Sequence, residues 1–561
     1  MSRTRRVADY VVGRIASSGT SHIFGVGGAN IEDIYDAIDR FGPRLIGVVA
    51  KHEFGAATMA DGYARTTNRL GVVVATSGGG ALNLVAALGE SYDSRVPVLA
   101  LVGQPPSTLE GSGAFQDTSG RAGTLDATQL FGHVSRWCAK ARSAQDVPRL
   151  LEQAIDAALS GGPATLLLPK DIQQTALIAD HPAAPRTKPP ADVVESPNRG
   201  AALDLMSSTD GPAVILVGAG VARTDARDAL LRLAEVLAAG VIVAPDAKDA
   251  FPQSHPLYVG VCGVMGHRGI AGVVADAAVC LVIGSPLTMT ERAGLDNALA
   301  STRILYIGEG RPFVSADASI GGDLSESLNW LADKVTRRPP VPELSRVGNL
   351  DVPRGNGPGV RYQPAMAAIS ARLQAGDGIF ADAGNTGAAA VHYLAVPRDG
   401  RFVVALGMGG MGYTFGAGIG SALARNRRTY VLAGDGAFYM HGLEMHTAVE
   451  YHVPVTFIVF NNNAHAMCVT REQAYFDADY SFNRFSPANI GDAIATMFPT
   501  MNAWTVQTVD ALSRALAELA DVDGPAFICV ECDPDEIPPF APLIPDADAG
   551  DVSPAVPRTP A

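Results

Sequence analysis

Two polar turns carry the first chemical signal. Gly434-Asp435-Gly436 ends the apolar run RTYVLAG at 428–434, and Asn461-Asn462-Asn463 follows VPVTFIVF at 453–460. The spacing from Asp435 to Asn462 is that of one βαβ crossover, with a helix expected over about 442–451. Both side chains then lie at carboxyl ends of parallel strands, where open α/β sheets bind ligands. A carboxylate beside an amide oxygen is a hard-oxygen donor pair, suited to Mg²⁺ or Ca²⁺ with positions left for phosphate and water. Flanking glycines let backbone N–H groups approach such a phosphate. GDG turns and Asn runs are common loop sequences, so it is their combination, with a strand before each, that points to a metal–phosphate site.

A second signal lies in LIGVVAKHEFGAATMADGYART at 45–66, where a strand runs into a helix with His52 and Glu53 in its first turn. Glu53 reads either as a charge that complements the helix dipole or as a buried carboxylate acting as general acid/base on a heteroaromatic nitrogen. Ala56, Ala57, Ala60, Gly62 and Ala64 make this a small-residue helix against which another element packs closely.

The elements that must position these residues are short β-branched runs alternating with Ala-rich helical stretches. LIGVVA, GVVVAT, VPVLALVG, AVILVG, VIVAP and VCLVIG are examples. Near-continuous apolar strands of this kind belong to parallel sheets covered on both faces. Pro-rich, aperiodic stretches at 179–200 and 337–359 divide the chain as linkers do. The fold expected is α/β, with three doubly wound parallel-sheet domains: an N-terminal domain at 1–180, a Rossmann-like middle domain at 195–338 and a C-terminal domain at 360–540. A flexible tail is expected at 541–561.

The 561 residues include 43 Lys+Arg and 57 Asp+Glu, a formal charge of −14. That balance argues against nucleic-acid partners. Phe402 to Ala424 carries no charge, but its glycines mark a soluble turn and helix rather than a membrane span. Six scattered Cys, with a single CxxC at Cys529 and Cys532, do not make a disulfide framework. Asp9 and Arg14 interrupt any secretory h-region. The expectation is a cytoplasmic enzyme with no membrane association. GAGVAR at 218–223 lacks the third Gly of a dinucleotide fingerprint and reads as tight β–α packing. Trp137 and Tyr413 read as packing residues.

The ordered motifs KHEFGAATMADGYAR, TSGGGALN (76–83), AFQD (114–117), GPATLLLPKDI (162–172), GMGGMGYTFGAGIGSA (407–422) and GDG…NN span nearly the whole chain. Together they resemble the thiamine-diphosphate-dependent superfamily of acetolactate synthases and 2-oxo acid decarboxylases. The resemblance implies a pyrimidine-binding, a middle and a diphosphate-binding domain, with thiamine diphosphate and Mg²⁺ as cofactors. Glu53 would hydrogen-bond the aminopyrimidine, with Gly80 and Asn83 in the loop beside it. Asp435, Asn462 and the Ala464 carbonyl would ligate the metal. Met411 would lie beneath the cofactor, and Gly384, Asn385, Thr386, Gly434, Gly436 and Ala437 would surround the diphosphate. Gly409 and Met467 complete the expected cofactor contacts. Gln116 and His465 are catalytic candidates, and Gly27, Phe115 and Arg471 are candidate substrate contacts. His441 is the other histidine expected to flank the cofactor.

The implied reaction is decarboxylation of a 2-oxo acid, pyruvate by default, with transfer of the acyl fragment to an acceptor. It is implied to run in a homodimer or homotetramer with active sites at the dimer interface. AFQD and HPLYVGVCGVMGH (255–267) resemble the acetolactate synthase branch, and the N-terminal domain has no adjacent His-His pair of the simple decarboxylases. Simple decarboxylation, C–C lysis and a non-catalytic regulatory paralogue are the alternatives. The sequence also departs from the synthase pattern. Arg471 stands where a Trp is usual, Gly132 where an Arg is usual, and IGSPLTMTERAG (283–294) where FAD-using synthases carry an Arg- and Asp-rich stretch. FAD or ADP in the middle domain therefore stays open. So does Arg471, which either meets an anionic acceptor or is a solvated residue.

Overall fold

The computed structural model describes residues 4–178, 199–341, 347–476 and 481–544. Three six-stranded sheets, parallel throughout, form the scaffold. The N-terminal sheet runs, edge to edge, Ile46–Val49, His22–Gly25, Gly71–Ala75, Val98–Gln104, Ala164–Pro169 and Trp137–Lys140. The C-terminal sheet runs Arg401–Val404, Gly378–Ala381, Thr429–Gly434, Val455–Asn461, Ala526–Glu531 and Asn502–Val506. Numbered along the chain within each sheet, both follow the order 2-1-3-4-6-5. The middle sheet follows 3-2-1-4-5-6, the dinucleotide-fold order. Central strands such as Gly71–Ala75, Val279–Ile283 and Val455–Asn461 are buried along their whole length, as strands covered on both faces must be.

Strand order places the ligand crevices. In a 2-1-3-4 arrangement the chain leaves strands 1 and 3 in opposite directions and opens a gap above their carboxyl ends. In the C-terminal sheet that gap lies between the ends of Gly378–Ala381 and Thr429–Gly434, so Gly384 and Asp435 border it. In the N-terminal sheet it lies between His22–Gly25 and Gly71–Ala75, bordered by Gly27-Gly28 and Thr76.

The two small-residue stretches meet each other. Helix Glu53–Thr67 crosses helix Tyr413–Arg425 with no room for side chains between them. A Cβ at Gly62 would sit 2.1 Å from the Ala417 carbonyl oxygen, and one at Gly420 would sit 2.0 Å from that of Met59. The uncharged segment 402–424 thus finds its apolar environment in the N-terminal domain. Among the described residues no helix is long and apolar enough to cross a membrane. Beside this contact lies a buried polar knot. Arg65 bridges Asp61 (2.6 Å) and Glu90 (3.0 Å), and the hydroxyl of Tyr413 donates to Asp61. Tyr413 is therefore a polar tie between domains as well as a packing residue. Burial alone would raise Glu90, but Arg65 and the Met408 N–H outweigh it and hold the group below its usual range.

Two stretches expected to be loose are partly anchored. The first linker lies outside the described residues from 179 to 198, as does 342–346 of the second. Beyond that, Gly348 bridges to Arg268, and the Gly357 N–H donates to Asp533 (2.9 Å). The tail is docked at its start, where Ala541–Leu543 form a turn and the Ala541 N–H donates to the Val264 carbonyl (2.8 Å). Residues 545–561 lie outside the described residues.

Replacing Gly62 with valine drives a side chain into the Ala417 carbonyl, an overpacking cost of about 1–3 kcal/mol. Thermal unfolding should show a lowered midpoint for Gly62→Val. Gly132→Ala, where the Cβ position has nothing within 4 Å, should leave it unchanged or raise it.

Candidate active site

The C-terminal half of the site is built on strand ends. Strand Thr429–Gly434 passes directly into the short helix Asp435–His441, so Asp435 is its first residue, and the helix expected over 442–451 follows as Gly442–Glu444 and Met445–Glu450. A carboxylate there complements the helix dipole. Its Oδ1 accepts from the Gly436 N–H at 2.9 Å. One backbone N–H, that of Ala464, reaches both Asp435 Oδ2 (3.2 Å) and Asn462 Oδ1 (3.1 Å). Parallel pairing of the two strands, Gly434 opposite Phe460, is what brings these oxygens together. Asp435, Asn462 and Ala464 are all buried, and burial pushes the Asp435 carboxyl up to about 6.

Across the crevice, helix Asn385–Tyr393 starts after Gly384, whose φ of 95° lies in the left-handed region and whose Cβ position has nothing within 4 Å. Asn385 and Thr386 are buried, and Asn385 Oδ1 has no hydrogen-bond partner. The Thr386 Oγ1 is the nearest atom to the Cβ position of Gly434, at 3.9 Å. Met411 and His465 close the group. A Cβ at Gly436 would meet the His465 ring at 2.3 Å and Met411 Cε at 3.1 Å. Ala437 is fully buried beside them, whereas Gly409 is exposed with φ 64°. Met467 is half-buried against the core, and Arg471 lies exposed further along helix Ala466–Phe476.

The N-terminal half gathers Glu53, Gly80, Asn83 and Gln116. His52 caps the helix by accepting from the Phe54 N–H (3.1 Å), which leaves Glu53 as its first residue. Asn83 Nδ2 donates to Glu53 Oε2 at 2.9 Å, and a Cβ at Gly80 would sit 2.8 Å from Glu53 Oε1. Gln116 holds φ 58°, and its Cβ and Cγ stand 2.9 Å from the Cβ position of Gly78. Phe115 is 77 % exposed, and Gly27 is exposed next to Gly28, which packs on Thr76. The sequence candidates thus fall into two groups, one per domain. His441 lies between the domains, its ring 4.1 Å from Phe54 and against Gly412, and burial followed by His52 lowers it to about 4.

Two positioning carboxylates were missed by the sequence reading. Buried Asp382, at the end of strand Gly378–Ala381, accepts from the Gly412 N–H (2.9 Å), the Thr414 N–H (3.2 Å) and the Thr414 hydroxyl (2.6 Å). It thereby anchors the loop carrying Met411. Glu444 accepts from the Lys51 N–H (3.0 Å) and the His52 N–H (3.2 Å), immediately before Glu53. The signal for Asp382 was its position at a strand end in GIFADAG; Glu444 had none.

The donor set fits a hard divalent cation carrying a phosphate. It offers carboxylate, amide and carbonyl oxygens, a glycine-opened helix start and an amide oxygen still lacking a partner. Among the described residues no cluster of three His, Cys, Asp or Glu is placed to hold a metal, so a softer site is not built. Cys529 and Cys532 are buried, and burial raises both thiols. The GAGVAR turn of the middle domain is a tight β–α contact. Its Gly218 and Gly220 abut Gly284 and Ser285, within 2.4–2.6 Å of the Cβ positions. The cavity lined by Ala219, Ala222, Arg223 and Asp246 measures about 270 Å³, and a second, lined by Arg227, Asp228, Leu231 and Lys248, about 1030 Å³.

Comparison with known proteins agrees with this geometry. Residues 5–123 match the family model for the thiamine pyrophosphate enzyme N-terminal TPP binding domain, 200–331 the central domain and 382–530 the C-terminal TPP binding domain. A probable acetolactate synthase large subunit of Methanocaldococcus jannaschii is 28% identical, over 95% of this chain and 93% of that protein. The acetolactate synthase isozyme 2 large subunit of Escherichia coli is 26% identical, over 96% of this chain and 97% of its own length. Sulfoacetaldehyde acetyltransferase of Castellaniella defragrans is 28% identical, over 80% of this chain and 79% of that protein.

Replacing Asp382 with alanine strands the buried N–H groups of Gly412 and Thr414, at about 1–3 kcal/mol. Denaturant unfolding of Asp382→Ala should show that loss, and removal of both sites' acceptor should also loosen the Met411 loop to proteolysis.

Proposed function

The chain belongs to the thiamine pyrophosphate enzyme family, and from that premise we propose a carboligase that decarboxylates a 2-oxo acid, with pyruvate the donor, and joins the acyl fragment to an acceptor. The observation that carries this reading is the convergence of Asp435 and Asn462 oxygens on one N–H at the strand-order gap, facing the open start of helix Asn385–Tyr393. Asp435, Asn462 and the Ala464 carbonyl would hold Mg²⁺, and Gly384, Asn385, Thr386, Gly434, Gly436 and Ala437 would surround the diphosphate. When bound, thiamine diphosphate supplies the electron sink for loss of CO₂ from a 2-oxo acid.

The remaining chemistry belongs to the chain. Glu53 would hold the proton for the pyrimidine nitrogen of the bound cofactor at Oε1, because Oε2 accepts from Asn83. Gly80 is small because any side chain there would displace that carboxylate. Met411, whose loop is anchored by Asp382, would pack against the cofactor. His465 stands next to the metal turn as the candidate proton carrier, and neighbouring Met467 supports that turn from the core. Gly409 keeps the approach to Met411 unobstructed. Gly27, Phe115 and Gln116 border the N-terminal gap, where they contact the substrate.

The acceptor is read as anionic. Arg471 lies on the helix that follows the metal turn, and relatives named sulfoacetaldehyde acetyltransferase act, by that name, on an anionic aldehyde. The working unit is read as a homodimer or larger homo-oligomer in the cytoplasm. Exposed Tyr439, Met440 and Leu443 beside the site, each about half exposed, suit burial against a second copy.

Glu53→Gln should lower pyruvate turnover by about 10²–10⁴-fold while cofactor binding persists. Asp435→Asn should abolish Mg²⁺-dependent cofactor binding. Product analysis with pyruvate alone should give a carboligation product; free aldehyde as sole product rejects the ligase. Co-refolding Glu53→Gln with Asp435→Asn should restore about a quarter of wild-type activity, since a two-fold dimer with shared sites regains one intact site per heterodimer. No recovery would place both halves within one chain.

A further inference from the structure

Lys248 is a buried cation that the proposed reaction does not use. It lies in the middle domain, 1% exposed, and its Nζ reaches across to the C-terminal domain. There it donates to three backbone carbonyls: Ala390 at 2.9 Å, Val391 at 2.5 Å and Leu394 at 2.6 Å. Ala390 and Val391 lie in the last turn of helix Asn385–Tyr393 and Leu394 caps it; the Ala390 carbonyl also accepts the Leu394 N–H (3.3 Å), and the lysine adds a donor at the end where helical partners run out. Burial alone would draw the lysine down to about 7. Three acceptors, however, need three N–H donors, and only the ammonium form has them. The geometry therefore holds Lys248 charged, at the negative end of a helix dipole.

The other end of this helix is the proposed diphosphate cradle at Gly384, Asn385 and Thr386. Residues 385–392 are buried throughout, so the helix is enclosed along its length and its two ends are linked by one continuous hydrogen-bonded backbone. A second tie repeats the first. His392, on the last turn, meets the Met265 carbonyl through Nδ1 (2.9 Å) and accepts the Leu350 N–H at Nε2 (3.2 Å). His267 stands 4.8 Å from that ring and accepts the Val261 N–H (2.9 Å), so both imidazoles are neutral hydrogen-bonding parts rather than competing cations. Asp249, next in sequence, is paired with Arg227 (2.9 Å) and Arg401 (2.7 Å), which leaves the ammonium to the carbonyls.

We infer that Lys248 is a positioning residue for the cofactor: by gripping the carboxyl end of helix Asn385–Tyr393, the middle domain sets the axial position of the N–H groups at its amino end that receive the diphosphate. The inference rests on the reading of 384–386 as the diphosphate cradle. It also gives the middle domain a task in the reaction.

The test compares wild type with Lys248→Met, which keeps the aliphatic stem and loses the charge, and with Lys248→Arg, which restores it. Thiamine diphosphate with Mg²⁺ is titrated by calorimetry, inorganic pyrophosphate is titrated separately, and kcat is measured at saturating cofactor. The expected result for Lys248→Met is a tenfold or greater rise in Kd for both diphosphate probes, with kcat within twofold and partial recovery in Lys248→Arg. Unchanged Kd values, or a fall in kcat without a change in Kd, overturn the inference. If Lys248→Met does not fold, Lys248→Gln, which retains two donors, reads the same ratio. Failure of both to fold makes the lysine a folding determinant and overturns the inference too. A wild-type protein that binds neither probe refutes the cradle itself and is thereby distinguished from failure of the lysine's role.

Discussion

The structure depends first on one parallel pairing. Strand Thr429–Gly434 lies between Gly378–Ala381 and Val455–Asn461, in register along its length. Because the three strands run the same way, their carboxyl ends and the turns that follow share one edge of the sheet. Asp382, Gly384, Asp435 and Asn462 are all residues just beyond a strand end, and this is why they meet. A one-residue slip would turn alternate side chains to the other face and separate the two oxygens on the Ala464 N–H. The donor pair is thus a consequence of backbone hydrogen bonding.

The second constraint is the absence of side chains between helices Glu53–Thr67 and Tyr413–Arg425. Gly62 and Gly420 let backbones touch where any larger residue would hold the domains apart. That contact places the amino end of the Glu53 helix beside the 441–444 segment, where Glu444 grips the Lys51 and His52 N–H groups. Glu53 is oriented by its own domain through Asn83, but the backbone that carries it is held by the C-terminal domain. The buried Asp61, Arg65, Glu90 and Tyr413 network makes this junction polar as well as tight, and unpaired members would be costly there.

How much of this was legible depended on whether a residue's environment is local. The GDG and NN turns declared themselves because a strand precedes each and glycines flank the first. Glu53 was readable because a helix start follows a strand within a few residues. The helix expected over 442–451 is found at Gly442–Glu444 and Met445–Glu450, whereas the short helix Asp435–His441 before it is not legible because Gly434 and Gly436 look like a turn. Tyr413 reads as packing alone in the sequence because its partner, Asp61, is distant along the chain. Glu444 and Lys248 left no local trace at all, since each acts on backbone groups of another domain.

The residue types and their spacing determined three parallel-sheet units, the strand-end donors and the small-residue helices, because strand period, glycine turns and β-branched runs are properties of contiguous chain. Only the folded chain decided that the two small-residue helices face each other, that the glycines at 218 and 220 serve contact with Gly284 and Ser285, and that a lysine of the middle domain closes the helix of the cradle. Those outcomes depend on distances between residues far apart along the backbone, and on which polar groups are left to satisfy one another once water is excluded.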